Sequence, residues 1–266
     1  MKKVAKWTFG ISTVIYVLIC TFFYFNQERI ILNPTTLDPD YSFRFSYPFE
    51  EWYIQTEDGV ILNAVLFKAD ESRGLVFYLH GNRGSLNNAG NEADPFLDSG
   101  YDVFMMDYRG FGKSDGSWES EEQLLSDVSL AYEKVLEQYD ESQIIIAGYS
   151  LGTGPATYLA ARHHPQLLIL QAPYFSLVDI MEHDFSFLPT FILKYPLETG
   201  NYLPEVEAPV VIFHGDRDNT IYYGSSLKLQ ELFKPGDQLI TLEGGGHGRM
   251  RRNTDYLRGL AQVLSH

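Results

Sequence analysis

The sequence predicts an α/β protein with one large, mostly parallel sheet, and two patterns carry this prediction. Short apolar runs alternate along the chain with segments in which apolar residues recur at helical spacing. Most of the short runs are almost continuously apolar, as is typical of strands that are covered on both faces. Because parallel strands need crossover helices between them, the alternation favours a sheet flanked by helices. A chain of 266 residues is long enough for one such domain.

Eight segments are predicted to be strands of this sheet. The first two form a hairpin around Asp58-Gly59, since this dipeptide favours a tight turn between strands. Apolar periodicity predicts a long helix around residues 124–139 and another at the C-terminus, around residues 257–264. The predicted strands are residues 51–55, 60–68, 75–79, 102–107, 143–148, 167–171, 210–213 and 238–242.

The N-terminal segment differs from the rest of the chain. Residues 7–25 contain no charged side chain and are mostly aliphatic or aromatic. At a rise of about 1.5 Å per residue, a helix of this length spans roughly 28 Å, which is close to the hydrocarbon thickness of a bilayer. We therefore expect a transmembrane helix at 7–25, an N-terminus at 1–6, a connector at 26–48 and the main domain at 49–266. A cleaved signal peptide is the alternative, but the apolar run is long for one and no A-x-A-like site follows it.

The charges that flank this segment predict its orientation. Lys2, Lys3 and Lys6 precede the apolar run, whereas the nearly neutral pair Glu28-Arg29 follows it. Since positive charge marks the cytoplasmic side of a membrane, we expect a single-pass protein with its N-terminus in the cytoplasm. The main domain is then outside, in the periplasm if the source is a bacterium.

Charge and cysteine content exclude several kinds of partner. A formal net charge of -15 argues against nucleic acid, because phosphate binding needs clustered Lys and Arg. Anionic lipid surfaces are disfavoured for the same reason. The single cysteine, Cys20, excludes an internal disulfide and a cysteine-built metal site. The histidines show no metal-ligand spacing such as H-E-x-x-H, so we expect no metal.

The strongest functional motif is Gly148-Tyr149-Ser150-Leu151-Gly152, which matches G-x-S-x-G. It lies where a predicted strand ends and a helix should begin. In that context the motif forms a strained turn that lifts the serine hydroxyl out of the backbone, while the glycines let strand and helix approach closely. Ser150 is therefore predicted to be a nucleophile. The alternative is a glycine-rich turn without chemistry.

Two later segments can supply partners for Ser150. His247 lies in a glycine-rich turn after the last predicted strand, where a histidine can take the serine proton and return it to the leaving group. Asp218 follows the strand at 210–213, where its carboxylate can accept the imidazole N–H and fix the tautomer. Asp216 is a rival for this role, although it is better suited to bracing the same loop.

These motifs resemble the α/β-hydrolase superfamily over about residues 50–266. Within it, the chain is similar to small members with a membrane-bound N-terminus, a branch that includes eukaryotic protein depalmitoylases and uncharacterised bacterial hydrolases. One departure is that the depalmitoylases attach through an N-terminal cysteine cluster, which this sequence lacks. The resemblance rests on the serine motif together with His80-Gly81-Asn82, Asp107-Tyr108-Arg109-Gly110-Phe111-Gly112, His214-Gly215-Asp216-Arg217-Asp218 and Gly246-His247-Gly248.

The resemblance implies a serine esterase or thioesterase and assigns its site. The superfamily presents nucleophile, acid and histidine in that order along the chain, which Ser150, Asp218 and His247 obey. By the same resemblance the acid is the third residue after His-Gly, which selects Asp218 over Asp216. The fold supplies two oxyanion-hole N–H donors, one after the nucleophile and one from the loop after an earlier strand. Leu151 and Asn82 occupy these positions.

Two glycine-containing motifs that resemble cofactor-binding loops are rejected. Gly112-Lys113-Ser114 resembles the end of a phosphate-binding loop, but Asp107 occupies the place of the required earlier glycine. Gly244-Gly245-Gly246 lies at the end of the fold and lacks the spaced third glycine of a dinucleotide fingerprint. We therefore expect no cofactor.

The last feature is an insertion at about residues 172–209, which is rich in aromatic and aliphatic side chains. We expect it to cap the site and form an apolar pocket for an acyl group, the alternative being a helical cap that only completes the core. The sequence thus predicts a membrane-anchored serine hydrolase that cleaves carboxylic ester or thioester bonds of a small-molecule or lipid acyl substrate. The alternatives are a non-catalytic binding or signalling protein of the same fold, and a serine peptidase.

Overall fold

The computed structural model describes residues 2–248 and 250–265, with the side chains of residues 2–5 outside the description. The predicted N-terminus at 1–6 falls largely on this part, so the side chains of Lys2 and Lys3, which predict the orientation, lie outside the described residues. In chain order the helices and strands are α1 (Lys2–Phe25), α2 (Gln27–Ile31), β1 (Asn33–Pro34), β2 (Phe49–Gln55), β3 (Ile61–Phe67), β4 (Leu75–Leu79), β5 (Arg83–Gly84), α3 (Leu86–Ala89), α4 (Asp94–Leu97), β6 (Asp102–Met106), α5 (Glu121–Leu136), β7 (Ile144–Tyr149), α6 (Thr153–Ala160), β8 (Leu167–Gln171), α7 (Leu177–Asp184), α8 (Thr199–Tyr202), β9 (Val210–Gly215), α9 (Gly224–Gln230), β10 (Gln238–Leu242) and α10 (Thr254–Leu264).

An eight-stranded sheet forms the centre of the fold, with the order β10-β9-β8-β7-β4-β6-β3-β2. The strands from β10 to β6 run parallel, and β3 is antiparallel to both β6 and β2. The predicted α/β class, mostly parallel sheet and hairpin are therefore confirmed, and each strand differs from its predicted bounds by at most two residues at either end. Since β4, β7, β9 and β10 are parallel, the loops that follow them lie at one edge of the sheet. Ligands of open α/β sheets bind at this edge.

The sheet is covered by side chains on both faces. Along β4, Leu75, Phe77 and Leu79 belong to one hydrophobic cluster, whereas Val76 and Tyr78 belong to the other. This division follows from the geometry of a strand, whose successive side chains point to opposite faces. All five residues of β4 are buried, so a continuous apolar run does correspond here to a strand that is covered on both sides.

The helix α1 projects its apolar side chains outward. Within the described residues, Lys6–Phe25 is the one helical stretch that is long and apolar enough to cross a membrane, and none of it is buried inside the protein. Trp7, Phe9 and Phe25 are among the large apolar side chains that remain exposed. By length and composition, α1 is thus a candidate membrane anchor.

The connector contains regular structure that its sequence does not signal. After α1, the short helix α2 leads into β1, a two-residue strand that pairs in parallel with β5. These two strands form a second, separate sheet. A strand of two residues is too short to show the alternation by which strands are recognised in a sequence.

Candidate active site

A sharp turn between β7 and α6 holds Ser150. This residue has a φ of 51°, a left-handed conformation that is rare for residues other than glycine. The two flanking positions must be glycine, because there is no room for a side chain at either of them. A Cβ on Gly152 would collide with the carbonyl oxygen of Leu79, and a Cβ on Gly148 would collide with the carbonyl of Gly152. Strand, turn and helix are thus packed as a nucleophile elbow requires.

The structure brings Ser150, His247 and Asp218 together in one hydrogen-bonded chain. Ser150 Oγ lies 2.9 Å from His247 Nε2, and His247 Nδ1 lies 2.7 Å from Asp218 Oδ2. The three residues come from the loops after β7, β10 and β9, which share one edge of the sheet. With Nδ1 donating to the carboxylate, Nε2 is free to accept the serine proton, which is the arrangement needed for a general base.

The environment of Asp218 keeps its carboxyl ionised. Burial alone opposes the charge, but hydrogen bonds from His214, His247 and the backbone N–H of Thr220 outweigh it and hold the pKa of Asp218 well below its ordinary value. Its Oδ1 accepts from the N–H groups of Thr220 at 2.8 Å and Ile221 at 2.9 Å. Both oxygens are therefore fixed, and the negative charge can stabilise an imidazolium at His247.

A second histidine shares this carboxylate, which the sequence reasoning missed. Nε2 of the buried His214 lies 3.1 Å from Asp218 Oδ2 and 3.0 Å from the carbonyl oxygen of Ile221. Because both partners are acceptors, Nε2 carries the proton, and Nδ1 accepts from the Ser226 hydroxyl at 2.6 Å. In the sequence, the spacing of four residues between His214 and Asp218 was the available signal.

The rival carboxylate, Asp216, lies outside this chain of hydrogen bonds. Its side chain is exposed, and Oδ1 accepts from the backbone N–H of Gly244 at 2.6 Å. Asp216 therefore braces the glycine-rich turn that carries His247, whereas the sequence predicted that it would brace its own loop.

Tyr149 supports the same turn from the elbow. Its hydroxyl donates to the backbone carbonyl of His247 at 2.9 Å, and its ring lies 5.3 Å from the imidazole, tilted by 33°. The Tyr149 contact is therefore a positional restraint on this turn, in addition to the hydrogen bonds of the His247 imidazole. The sequence reasoning overlooked it, because any residue can occupy this position of the G-x-S-x-G motif.

The two proposed oxyanion donors belong to two different loops. Leu151 follows it directly, and Tyr174 holds the carbonyl of Leu151 with a hydrogen bond of 2.9 Å. Asn82 belongs to the loop after β4, residues 80–84, which we call the β4 loop. A Cβ built on Gly81 would lie 3.6 Å from the Cβ of Ser150, so this loop passes directly beside the elbow.

A cleft of about 460 Å³ opens beside His247 and the β4 loop. Its walls include Asn82, Arg83, Glu92, Tyr149 and His247. Burial raises the pKa of the Glu92 carboxyl, and Arg251, 3.4 Å away, acts against this shift. The lining is thus partly polar and carries both signs of charge, which differs from the apolar pocket expected from the sequence.

The insertion at 172–209 does not line this cleft in the part of the chain that the structure describes. Its aromatic residues pack against α1 instead: the rings of Phe185 and Phe187 lie 6.0 and 6.4 Å from that of Phe23. A smaller apolar cavity of about 110 Å³ lies between the insertion and the first two helices. The apolar pocket expected from the insertion is therefore not formed at this cleft, because part of its apolar surface packs against α1 instead.

Proteins that are similar to this chain carry the names of hydrolases. Residues 70–198 match the family model described as serine aminopeptidase, S33. Alpha/beta hydrolase domain-containing protein 17C of Xenopus tropicalis is 28% identical over 236 residues, which cover 86% of this chain and 74% of that protein. An esterase from Pyrococcus furiosus has the same fold, with a TM-score of 0.71 at 20% identity over 88% of this chain and 97% of its own. An esterase from Exiguobacterium antarcticum matches with a TM-score of 0.65 at 18% identity, over 82% and 98% of the two chains.

Proposed function

Because the chain is a hydrolase of the α/β-hydrolase superfamily, similar to alpha/beta hydrolase domain-containing protein 17C, we propose that it cleaves carboxylic ester or thioester bonds with Ser150 as nucleophile. The observation that carries this proposal is the hydrogen-bonded chain from Ser150 through His247 to Asp218. A serine is a weak nucleophile on its own, and a base placed at 2.9 Å is what activates it.

The reaction proceeds in two halves. Ser150 Oγ attacks the carbonyl carbon while its proton passes to His247 Nε2, and the N–H groups of Asn82 and Leu151 stabilise the resulting oxyanion. The intermediate collapses as the leaving alcohol or thiol takes the proton from His247. Water then attacks the acyl-Ser150 ester with His247 again as base, which releases the carboxylic acid and restores the free serine.

A serine peptidase is the second candidate, and the description of the matching family model favours it. The same residues can attack an amide, so the two functions differ in the leaving group and in what the cleft binds. Glu92 and Arg83 in the wall of the cleft offer charged partners for either kind of substrate.

A fluorophosphonate probe and a substrate series test the proposal. We expect the probe to label the wild type and not Ser150→Ala, since only an activated serine reacts. Among p-nitrophenyl esters of increasing chain length, an acyl thioester and amino-acid p-nitroanilides, the esters or the thioester should be cleaved fastest. Fastest cleavage of the anilides would instead favour the peptidase. An unlabelled wild type would indicate a non-catalytic protein of this fold.

We further propose that α1 anchors the domain on the outer side of a membrane. Its exposed apolar surface and the lysines that precede it support this orientation. Membrane-derived or envelope acyl esters are then the substrates within reach, whereas cytoplasmic acylated proteins are not.

The orientation predicts the outcome of C-terminal reporter fusions. Alkaline phosphatase is active only after export, and a fluorescent protein that matures only in the cytoplasm reports the opposite side. We expect phosphatase activity without fluorescence. Fluorescence without phosphatase activity would place the domain in the cytoplasm and make cytoplasmic acyl substrates the leading hypothesis.

A further inference from the structure

The chain that leaves α1 is bonded directly to the β4 loop, which carries one of the proposed oxyanion donors. We call residues 27–37 the linking segment. The N–H of Asn33 donates to the carbonyl of Asn82 at 2.8 Å, and the N–H of Thr35 donates to the carbonyl of Gly84 at 2.7 Å. The side-chain amide of Asn82 donates in turn to the carbonyl of Ile31. Asn82 is therefore held by the linking segment at two of its atoms.

Contacts at both ends fix the linking segment itself. On the domain side, the N–H of Gly112 donates to the carbonyl of Thr35 at 2.9 Å, and the N–H of Leu37 donates to the carbonyl of Gly112 at 2.7 Å. On the anchor side, the side chain of the buried Gln27 donates to the carbonyl of Ile192 at 2.7 Å and accepts from the N–H of Lys194 at 2.8 Å. The segment is thus a fixed element and not a loose stalk.

The β4 loop is also contacted from inside the domain. The hydroxyl of Tyr108 donates to the carbonyl of His80 at 2.8 Å, and His80 Nε2 lies 3.5 Å from Asp107 Oδ1. These contacts hold the start of the loop, whereas the linking segment holds Asn82 and Gly84 further along it.

We propose that the linking segment is a positioning element of the active site, which holds the backbone N–H of Asn82 in line with the developing oxyanion. This inference rests on the proposed function. At the tetrahedral Cα of Asn82, the carbonyl and the side chain are both held by the segment. Two fixed substituents determine the direction of the third, which is the bond to the backbone nitrogen. Oxyanion donors act only when their geometry is set before the reaction.

One backbone hydrogen can be removed to test this role. Asn33→Pro deletes the N–H that donates to Asn82, while Asn33→Ala retains it and serves as the matched reference. The side chain of Asn33 is exposed, and the preceding Leu32 has φ -106° and ψ 140°, the extended conformation that a following proline requires. The two variants therefore differ in this backbone hydrogen bond and in the fixed φ of proline.

Relative to Asn33→Ala, we expect Asn33→Pro to lower kcat roughly 10- to 100-fold at little change in KM, since complete loss of an oxyanion donor costs about 10²- to 10³-fold. Rates are taken per fluorophosphonate-labelled site, so that inactive protein does not count. A trifluoromethyl ketone forms a hemiketal with Ser150 whose oxyanion occupies the same hole. Its inhibition constant should rise by the same factor as kcat falls, which a merely structural role would not produce.

The outcomes separate this inference from the proposed function. Equal kcat and inhibition constants in the two variants would overturn the positioning role, and so would a lower melting temperature with an unchanged inhibition constant. If Asn33→Pro does not fold, Asn82→Ala decides the question in the same assays. This variant keeps the backbone N–H of residue 82 and removes the side-chain bond to Ile31, and any contribution of the side chain to the cleft wall should change KM and not the inhibition constant in parallel with kcat. A wild type that the probe does not label would overturn the proposed function and this inference together, whereas a labelled wild type leaves the proposed function standing whatever the variants show.

Discussion

Replacing Ser150 with alanine is expected to lower kcat by about 10⁴- to 10⁶-fold while the protein remains folded. The variant removes the only atom that can form the acyl-enzyme. It keeps the Cβ, so the left-handed backbone at this position is no more strained than with serine. The measurement is turnover of a p-nitrophenyl ester, with circular dichroism and thermal unfolding as checks of the fold.

A second serine serves as the control for Ser150→Ala. Ser117 is exposed and lies in the turn region between β6 and α5, so Ser117→Ala purified in parallel should retain wild-type turnover. Substantial esterase activity of a pure Ser150→Ala preparation would show that another residue is the nucleophile.

Asp218→Asn is expected to lower kcat by roughly 10⁴-fold. Its Oδ2 accepts hydrogen bonds from two imidazoles, those of His247 and His214. The NH₂ group of an asparagine in this place donates hydrogen bonds and cannot accept them from the two imidazoles. If the NH₂ group points towards His247 Nδ1, it favours the tautomer of His247 that carries its proton on Nε2, which cannot act as the base. The negative charge that stabilises the imidazolium is also lost.

Asp216→Asn is the matched control for this prediction. The side chain of Asp216 accepts one hydrogen bond from the N–H of Gly244, which an amide oxygen can also accept. Asp216→Asn should therefore lower kcat far less than Asp218→Asn does. If the two variants showed the opposite order, Asp216 would be the acid of the site.

The sequence predicts the central sheet closely because burial on two faces leaves a direct pattern. Strands such as β4 and β8 are buried at every position and almost wholly apolar, so their runs stand out in the sequence. The candidate site follows from this order, since the loops that carry Ser150, Asp218 and His247 come after three parallel strands. Parallel strands bring their following loops to one edge without any further information.

Other features of the structure depend on which parts of the chain pack against each other. The spacing of apolar residues in the sequence does not specify these packing partners. The insertion is apolar enough to cover the cleft, yet Phe185 and Phe187 pack on α1. The contact of His214 with Asp218 depends on the path of a loop. The pairing of β1 with β5 joins two-residue strands about fifty positions apart, which no local signal can indicate.

The fixed exit of the chain from α1 has a consequence for substrates that are embedded in a bilayer. Only Asn26 separates α1 from α2, and Gln27 is bonded to the insertion. A flexible tether of n residues would have a root-mean-square end-to-end distance of about 5–6 Å × √n, so the domain could move relative to the anchor by distances of this order. Under the proposed anchoring, the distance between Ser150 and the lipid surface is therefore fixed. With the proposed function, we then expect a preference for acyl substrates whose scissile bond lies at the matching distance from the membrane surface.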